Sequence, residues 1–311
     1  MIVLKVQGRL GNQLFQYAFA KSLQKKFYNN EKIIINYSKS KYSLPCYFCN
    51  DNKFNFETLE STYKWNLNII QIFIFYAYTI YRLVFKKHKD IQMQPFLNRF
   101  GIYYLQDDGI CDFKKSKFKN KLVFGYFGSE KFFEYIKEEI KNDFKLNIPL
   151  SNKNQKFLKE IQNSNSIALS IRRGDYTSQD ISHFFLVCEK SYYEEAIKVA
   201  QDEIKDSRFV VFSDDIEWAK ENIQFPKDKN KVLYEDKENE VLETFYLMKN
   251  CKNFIISNST FHWWAQYLSE NKTKKVYAPS IWNNERTALN IYLKNWKLID
   301  IDKCRSEKNE E

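Results

Sequence analysis

Beyond the polar stretch "NIPLSNKNQ" (147–155), short apolar runs and amphipathic stretches alternate so regularly that few folds fit. A helical pattern to about 161 leads into "SIALSI" (166–171), a helix over 191–205 and "RFVVFSDD" (208–215). A helix near 216–222 follows, then "KVLYE" (231–235), a helix over 238–250, "NFIISNS" (253–259), a helix over 260–269 and "KKVYAPS" (274–280). Apolar runs separated by helices belong to a parallel sheet covered on both faces. The alternation predicts a doubly wound α/β domain.

The first half opens the same way. "IVLKV" (2–6) reads as a buried strand, residues 12–27 carry helical apolar spacing ending in lysines, and "KIIINY" (32–37) reads as the next strand. Residues 40 to 120 read as irregular to helical, "KLVFGYF" (121–127) as a strand, and a helix is expected near 130–144. The chain's 311 residues suit two domains. We divide it at the polar stretch into 1–150 and 151–299, with 300–311 a frayed polar tail.

Composition narrows the class. With 44% hydrophobic and 28% charged residues the chain is a folded globular protein, not a disordered one. A net charge of +10 favours anionic partners, but lysine-rich composition is also what an AT-rich genome produces, so the positions of the arginines say more than the sum. No nucleic-acid-binding motif appears, and nucleic acid is not expected as a partner. Six scattered cysteines read as reduced thiols of a cytoplasmic protein; Cys46 and Cys49 form one C-x-x-C with no second pair at zinc-site spacing. The N-terminus turns polar too soon for a signal peptide. "WNLNIIQIFIFYAYTIY" (65–81) has no charge but is diluted by polar residues, and reads as a buried or partly interfacial helix. Peripheral attachment to the inner, anionic face of the membrane through "RLVFKKHK" is the alternative.

Ligands of open parallel sheets bind at the carboxyl ends of the strands. Three apolar runs end there in unusual polar residues: "SIRRGDY", "FSDD" and "SNSTFHWW". Arg172 and Arg173 supply planar forks suited to phosphate oxygens. Adjacent residues point to opposite sides, so one can face a ligand while the other orders the loop; an internal ion pair with Asp175 is the competing reading. Asn258, Ser259 and Thr260 open a helix whose free N–H groups suit an anion. Arginines plus a helix terminus imply a diphosphate, while Trp263, Trp264 and Tyr267 read as packing. Gly8 and Gly11 flank one strand–helix turn, Gly125 and Gly128 another, and Gly174 follows the arginine pair. "QGRLGNQ" is not a complete dinucleotide fingerprint and serves equally as a tight loop capping a helix. No P-loop is present, which argues against an ATPase, and neither "SDD" nor Asp300–Asp302 makes a persuasive metal site.

Five motifs occur in order: "GRLGNQLFQYAFAKSL", "GYFGSEKFF", "SIRRGDY", "FSDD" and "SNSTFHWWAQYL". Together they resemble the bacterial α-1,2-fucosyltransferases of glycosyltransferase family 11, over roughly residues 2 to 299. The stretch from about 36 to 115 is not recognisable and would hold acceptor specificity. The resemblance implies a GT-B-like α/β architecture, two Rossmann-like domains facing a central cleft. It also implies GDP-fucose as donor, a glycan acceptor such as a galactose O-2 of a lipopolysaccharide O-antigen, inversion at the anomeric carbon and no metal or other cofactor. Arg172 and Arg173 match the family's arginine pair, one gripping the β-phosphate. Asp175 and Tyr176 match the following D-Y, and Asp175 is the first candidate for general base, with Asp180 the second. Asn258, Ser259 and Thr260 match the loop near the diphosphate. Gly8, Gly11, Asn12 and Gln13 match the loop facing the cleft, and Asp214 and Asp215 an acidic pair near the nucleoside. Two positions depart: Ser170 stands where the family has histidine, and His262 where it has a small residue. We expect both in one donor pocket, having traded places. The departures open the donor to other GDP-linked 6-deoxy sugars such as colitose, and a GDP-sugar-binding protein without turnover is the competing class.

Overall fold

A computed structural model describes residues 1–37, 47, 53–55, 60–62, 66–85, 89–174, 186–225, 232–286 and 288–307. The chain forms two compact units, Met1–Asn147 and Ile148–Glu311.

In the first unit the apolar run at the N-terminus becomes β1 (Ile2–Lys5), with Ile2, Val3 and Leu4 wholly buried, as expected of a strand covered on both faces. Next come α1 (Leu10–Phe27), β2 (Ile33–Asn36), β3 (Glu60–Thr62), α2 (Ile69–Val84), α3 (Asp90–Arg99), β4 (Ile102–Leu105) and β5 (Lys121–Gly125). Two 3-10 turns, Glu130–Phe132 and Glu134–Ile136, then lead into α4 (Lys137–Asp143) where one helix was expected. The strands form a parallel sheet in the order β3-β2-β1-β5-β4. Twelve of the eighteen residues of α1 are buried, which makes it a core helix and not an amphipathic one. Phe19 on α1 stacks on Phe127, centroids 3.9 Å apart, with Phe113 and Phe132 around them.

The second unit begins with α5 (Asn152–Gln162) and β6 (Asn165–Ile171), then α6 (Lys190–Glu203), β7 (Ser207–Ser213), α7 (Ile216–Asn222) and β8 (Val232–Tyr234). It continues through α8 (Val241–Lys249), β9 (Asn253–Ile256), α9 (Thr260–Tyr267), β10 (Val276–Pro279), β11 (Lys297–Ile299) and α10 (Ile301–Glu307). Every strand pairing is parallel, and the order is β8-β7-β6-β9-β10-β11. Numbered within the unit, this is 3-2-1-4-5-6, the dinucleotide-binding arrangement. Ile167, Leu169 and Ile171 of β6 pack with Phe209, Val211, Ile255 and Tyr277 against Tyr192, Tyr193 and Ala196 of α6.

Within the stretch expected to fray, Ile301–Glu307 form α10 instead, with Ile301 and Cys304, one helical turn apart, buried in that same core. Among the described residues, no helix is long and apolar enough to cross a membrane. Cys46 and Cys49 lie outside the described residues.

Candidate functional site

In the second sheet the strand order reverses between β6 and β9, which lie side by side with Ser170 opposite Ile256. A crevice outside the carboxyl ends of two such strands is where this fold places ligands, because their outgoing loops leave in opposite directions. The exit of β6 is Arg172–Arg173–Gly174, and that of β9 is Ser257–Asn258–Ser259. Both sequence motifs therefore converge at the switch point.

The paired arginines diverge, as alternation along an extended chain requires. Arg172 is held by the exit of β7: its Nη1 lies 2.8 Å from Asp214 Oδ2. The other oxygen of the same carboxylate accepts the Arg173 backbone N–H at 2.9 Å. Asp214 thus fixes both a guanidinium and the peptide that follows it. Gly174 completes the arrangement, since a Cβ there would come within 2.5 Å of Asp214 Oδ2. Arg173 turns the other way and lies on Trp218 of α7, its guanidinium carbon 3.9 Å from the ring centroid. Asp215 Oδ2 is 3.8 Å from Arg173 Nε, an ion pair too long for a hydrogen bond, while Asp215 Oδ1 accepts the Trp218 N–H to cap α7. The acidic pair expected near the nucleoside is therefore engaged with the arginine loop. Arg172 has Asp214 as an ion-pair partner; Asp175, weighed from sequence as its partner, lies with Tyr176 and Asp180 outside the described residues.

His262, in the first turn of α9, is buried and its Nδ1 lies 3.0 Å from Ser257 Oγ. Burial, reinforced by the nearby Arg172 charge, pushes its pKa down to about 3, so the imidazole is neutral at physiological pH. Ser170 is fully buried with its hydroxyl 3.5 Å from Met248 Sδ on α8, while His262 bonds to the loop after β9. Asn258 uses its amide inward, donating to the carbonyls of Leu186 and Trp282 at 2.8 Å each, which ties together three segments beneath the site. Ser259 is the N-cap residue of α9 and Thr260 its first residue. Trp263 donates its indole N–H to Ile291 O and stacks on Tyr267; with Trp264 they are buried packing, as expected.

In the first sheet the analogous neighbours are β1 and β5, with Leu4 opposite Val123. Their exits are the two glycine-bearing turns. Gln13 donates to Gly8 O at 2.9 Å and accepts the Tyr47 N–H, while Gln16 brackets the Gln7 backbone at 3.0 and 2.9 Å. Both glutamines are buried, so they hold the turn; Gly11 is buried in the first turn of α1, and Asn12 beside it is only half-buried. At Gly125, φ is +158° and any side chain would run into the Leu105 carbonyl.

Sequence reasoning missed Trp218 and a buried carboxylate at the end of β8. Glu235 accepts hydrogen bonds from the Thr244 hydroxyl and from Asn239 Nδ2, yet burial pushes its pKa up to about 7. It borders a cavity of about 470 Å³ between α5 and α7, lined also by Lys153, Lys156, Lys220 and Tyr234. That cavity contains neither arginine, and we place the site at the switch point because the loops carrying Arg172 and the start of α9 leave the sheet there. Among the described residues, no group of three or more His, Cys, Asp or Glu side chains could hold a metal ion.

Two parallel α/β units, one with charged loops at its switch point, are the architecture of GT-B glycosyltransferases. The fucosyltransferase NodZ from Bradyrhizobium shares the fold, with a TM-score of 0.50 and 14% identity over 86% of this chain and 91% of that one. The family itself follows from the sequence: Glycosyl transferase family 11 matches residues 1–300, and the chain belongs to it. It is 28% identical to the Escherichia coli O-antigen biosynthesis glycosyltransferase WbnK, over 94% of this chain and 98% of that protein. It is 29% identical to an Escherichia coli alpha-1,2-colitosyltransferase, over 94% and 95%.

Proposed function

We propose that this glycosyltransferase moves L-fucose from GDP-β-L-fucose to a glycan hydroxyl, galactose O-2 of an O-antigen-type surface glycan, with inversion and in the cytoplasm. The observation that carries the reading is Arg172, fixed by Asp214 at the switch point beside a neutral imidazole. The similarity to WbnK supports the class of acceptor.

In the proposed reaction the acceptor oxygen forms a bond to the anomeric carbon while the bond from that carbon to the β-phosphate oxygen breaks. GDP departs with the electron pair, and the acceptor proton passes to a base. Negative charge grows on the β-phosphate, so a cation already in place stabilises the transition state more than the ground state. Arg172 fills that role because its fork cannot deprotonate and Asp214 restricts its motion. A neutral His262 adds no second positive charge and remains a hydrogen-bonding group within reach of Ser257. The Ser259 N–H is donated to Ser257 O at 2.8 Å, so peptide N–H groups from Thr260 onward in the first turn of α9 add to the diphosphate's neutralisation, and no metal or other cofactor takes part in the step. Asp175 is the proposed base and Asp180 its alternate.

The second reading is GDP-colitose as donor. It is favoured by the similarity to the colitosyltransferase and by the departures at Ser170 and His262. Incubation with a galactose-terminated acceptor and either GDP-fucose or GDP-colitose separates the readings by mass of the product. Transfer of fucose supports the first, transfer of colitose alone supports the second, and GDP binding without transfer from either donor contradicts both.

A further inference from the structure

The side of α2 that faces away from its unit is apolar. Gln71, Phe75 and Tyr78 are buried against the unit, whereas Ile69 is 82% exposed, Phe73 70%, Ile80 61% and Leu83 70%, with Tyr76, Val84 and Phe85 also exposed. These residues recur every three to four positions, so they form one continuous stripe along the 16-residue helix. An apolar stripe this long on a water-facing surface marks an interaction site, because each exposed side chain forfeits transfer free energy that an apolar partner would recover. The helix is capped at its start by Asn68 and Gln71 and anchored at its end by Arg82 on Asp90, at 2.6 Å, so the stripe is presented on a rigid element.

What fits the stripe is decided by the charges at its ends. Residues 66–85 contain no Asp or Glu. At the N-terminal end, Gln71 donates to the carbonyls of Phe100 and Asn120 at 2.8 and 2.9 Å, which ties "FKKSKFKNK" (113–121) beside the helix start. Within that segment Lys114, Lys115, Lys117 and Lys119 are all exposed and no acidic residue intervenes. At the C-terminal end, Lys89 is exposed. An apolar, aromatic-rich helix face flanked by cations matches the interfacial layer of an anionic bilayer, where rings and aliphatic chains enter the acyl boundary and lysines meet lipid phosphates. We infer that α2 seats the protein on an anionic membrane surface, lying in the interface without spanning it. This surface is separate from the arginine site and does not depend on the donor.

The test is co-sedimentation of the full chain with vesicles of phosphatidylcholine alone or mixed equally with phosphatidylglycerol. The expected result is binding to the anionic vesicles, weakened at least about tenfold by Phe73→Ser with Leu83→Ser, by Lys114→Glu with Lys117→Glu, and by about 0.5 M salt. Both residues of the first pair are exposed, so the fold survives; circular dichroism and GDP release with a soluble acceptor should match the unsubstituted protein. Equal binding to both vesicle types overturns the inference. So does absence of vesicle binding, and a dimer that the Phe73/Leu83 pair dissociates in analytical ultracentrifugation would assign the face to a second copy instead.

Discussion

Arg172 and Arg173 are chemically identical and adjacent, yet their surroundings assign them different work. Arg172 pairs with the Asp214 carboxylate from the exit of β7 and its charge lowers the pKa of His262, whereas Arg173 lies flat on the Trp218 indole. The position of the pair at the end of β6 was legible in the sequence because it directly follows an apolar run. Their division of labour was not, since Asp214 and Trp218 come from the neighbouring β7–α7 exit and only strand order brings them alongside. His262 has a testable protonation state. Its pKa in the fold lies below its ordinary value, so the folded state binds fewer protons between those values and this residue's contribution to stability is lost as pH falls through that range. NMR of the His262 ring should show neutral imidazole down to about pH 5, whereas titration near the ordinary histidine value of about 6.5 would refute the buried, Arg172-coupled setting.

At the scale of elements, the strands and helices of the second unit from α5 to β10 follow the sequence pattern to within a few residues because each is an apolar run or an amphipathic helix, whereas β11 and α10 were not read from it. The first unit was less readable where local pattern is weak. β3 consists of Glu60, Ser61 and Thr62, with no apolar signal, and β4 is a four-residue edge strand following a helix that contains Pro95. What holds α2 and α3 together is also non-local. Asp90 is fully buried and accepts from Tyr78 Oη at 2.7 Å, Gln106 N at 2.6 Å and Arg82, while burial raises its pKa. Replacing it with Asn leaves Arg82 without its carboxylate, and should cost about 3 kcal/mol in urea unfolding. A loss below about 1 kcal/mol would mean that the latch is not structural. Gly125→Ala should be at least as damaging, lowering the melting temperature by roughly 5 °C or more, because both the positive φ and the Leu105 carbonyl oppose a side chain.

For the molecule as a whole, the frame was the most legible feature: alternating runs define two parallel sheets, and the strand orders put the polar loops at their switch points. Stability against pH carries one further expectation. Glu235 has a folded pKa of about 7 against an ordinary 4.5, so the folded state holds its proton more tightly, and stability is lost as pH rises through that window. The span corresponds to about 3 kcal/mol. His262 acts with the opposite sign below its ordinary value, so Glu235→Gln should shift the balance between melting curves at about pH 5 and about pH 8 towards greater stability at the higher pH. An unchanged difference would place the titrating group elsewhere.

The central claim is that Arg172 alone of the pair clamps the leaving diphosphate, and GDP release during transfer measures it directly. Arg172→Lys keeps the charge but loses the fork, and should lower kcat by about 100-fold or more, while Arg173→Lys should stay within about tenfold of the unsubstituted enzyme. An Arg172→Lys enzyme turning over within about threefold of the unsubstituted protein would contradict the account.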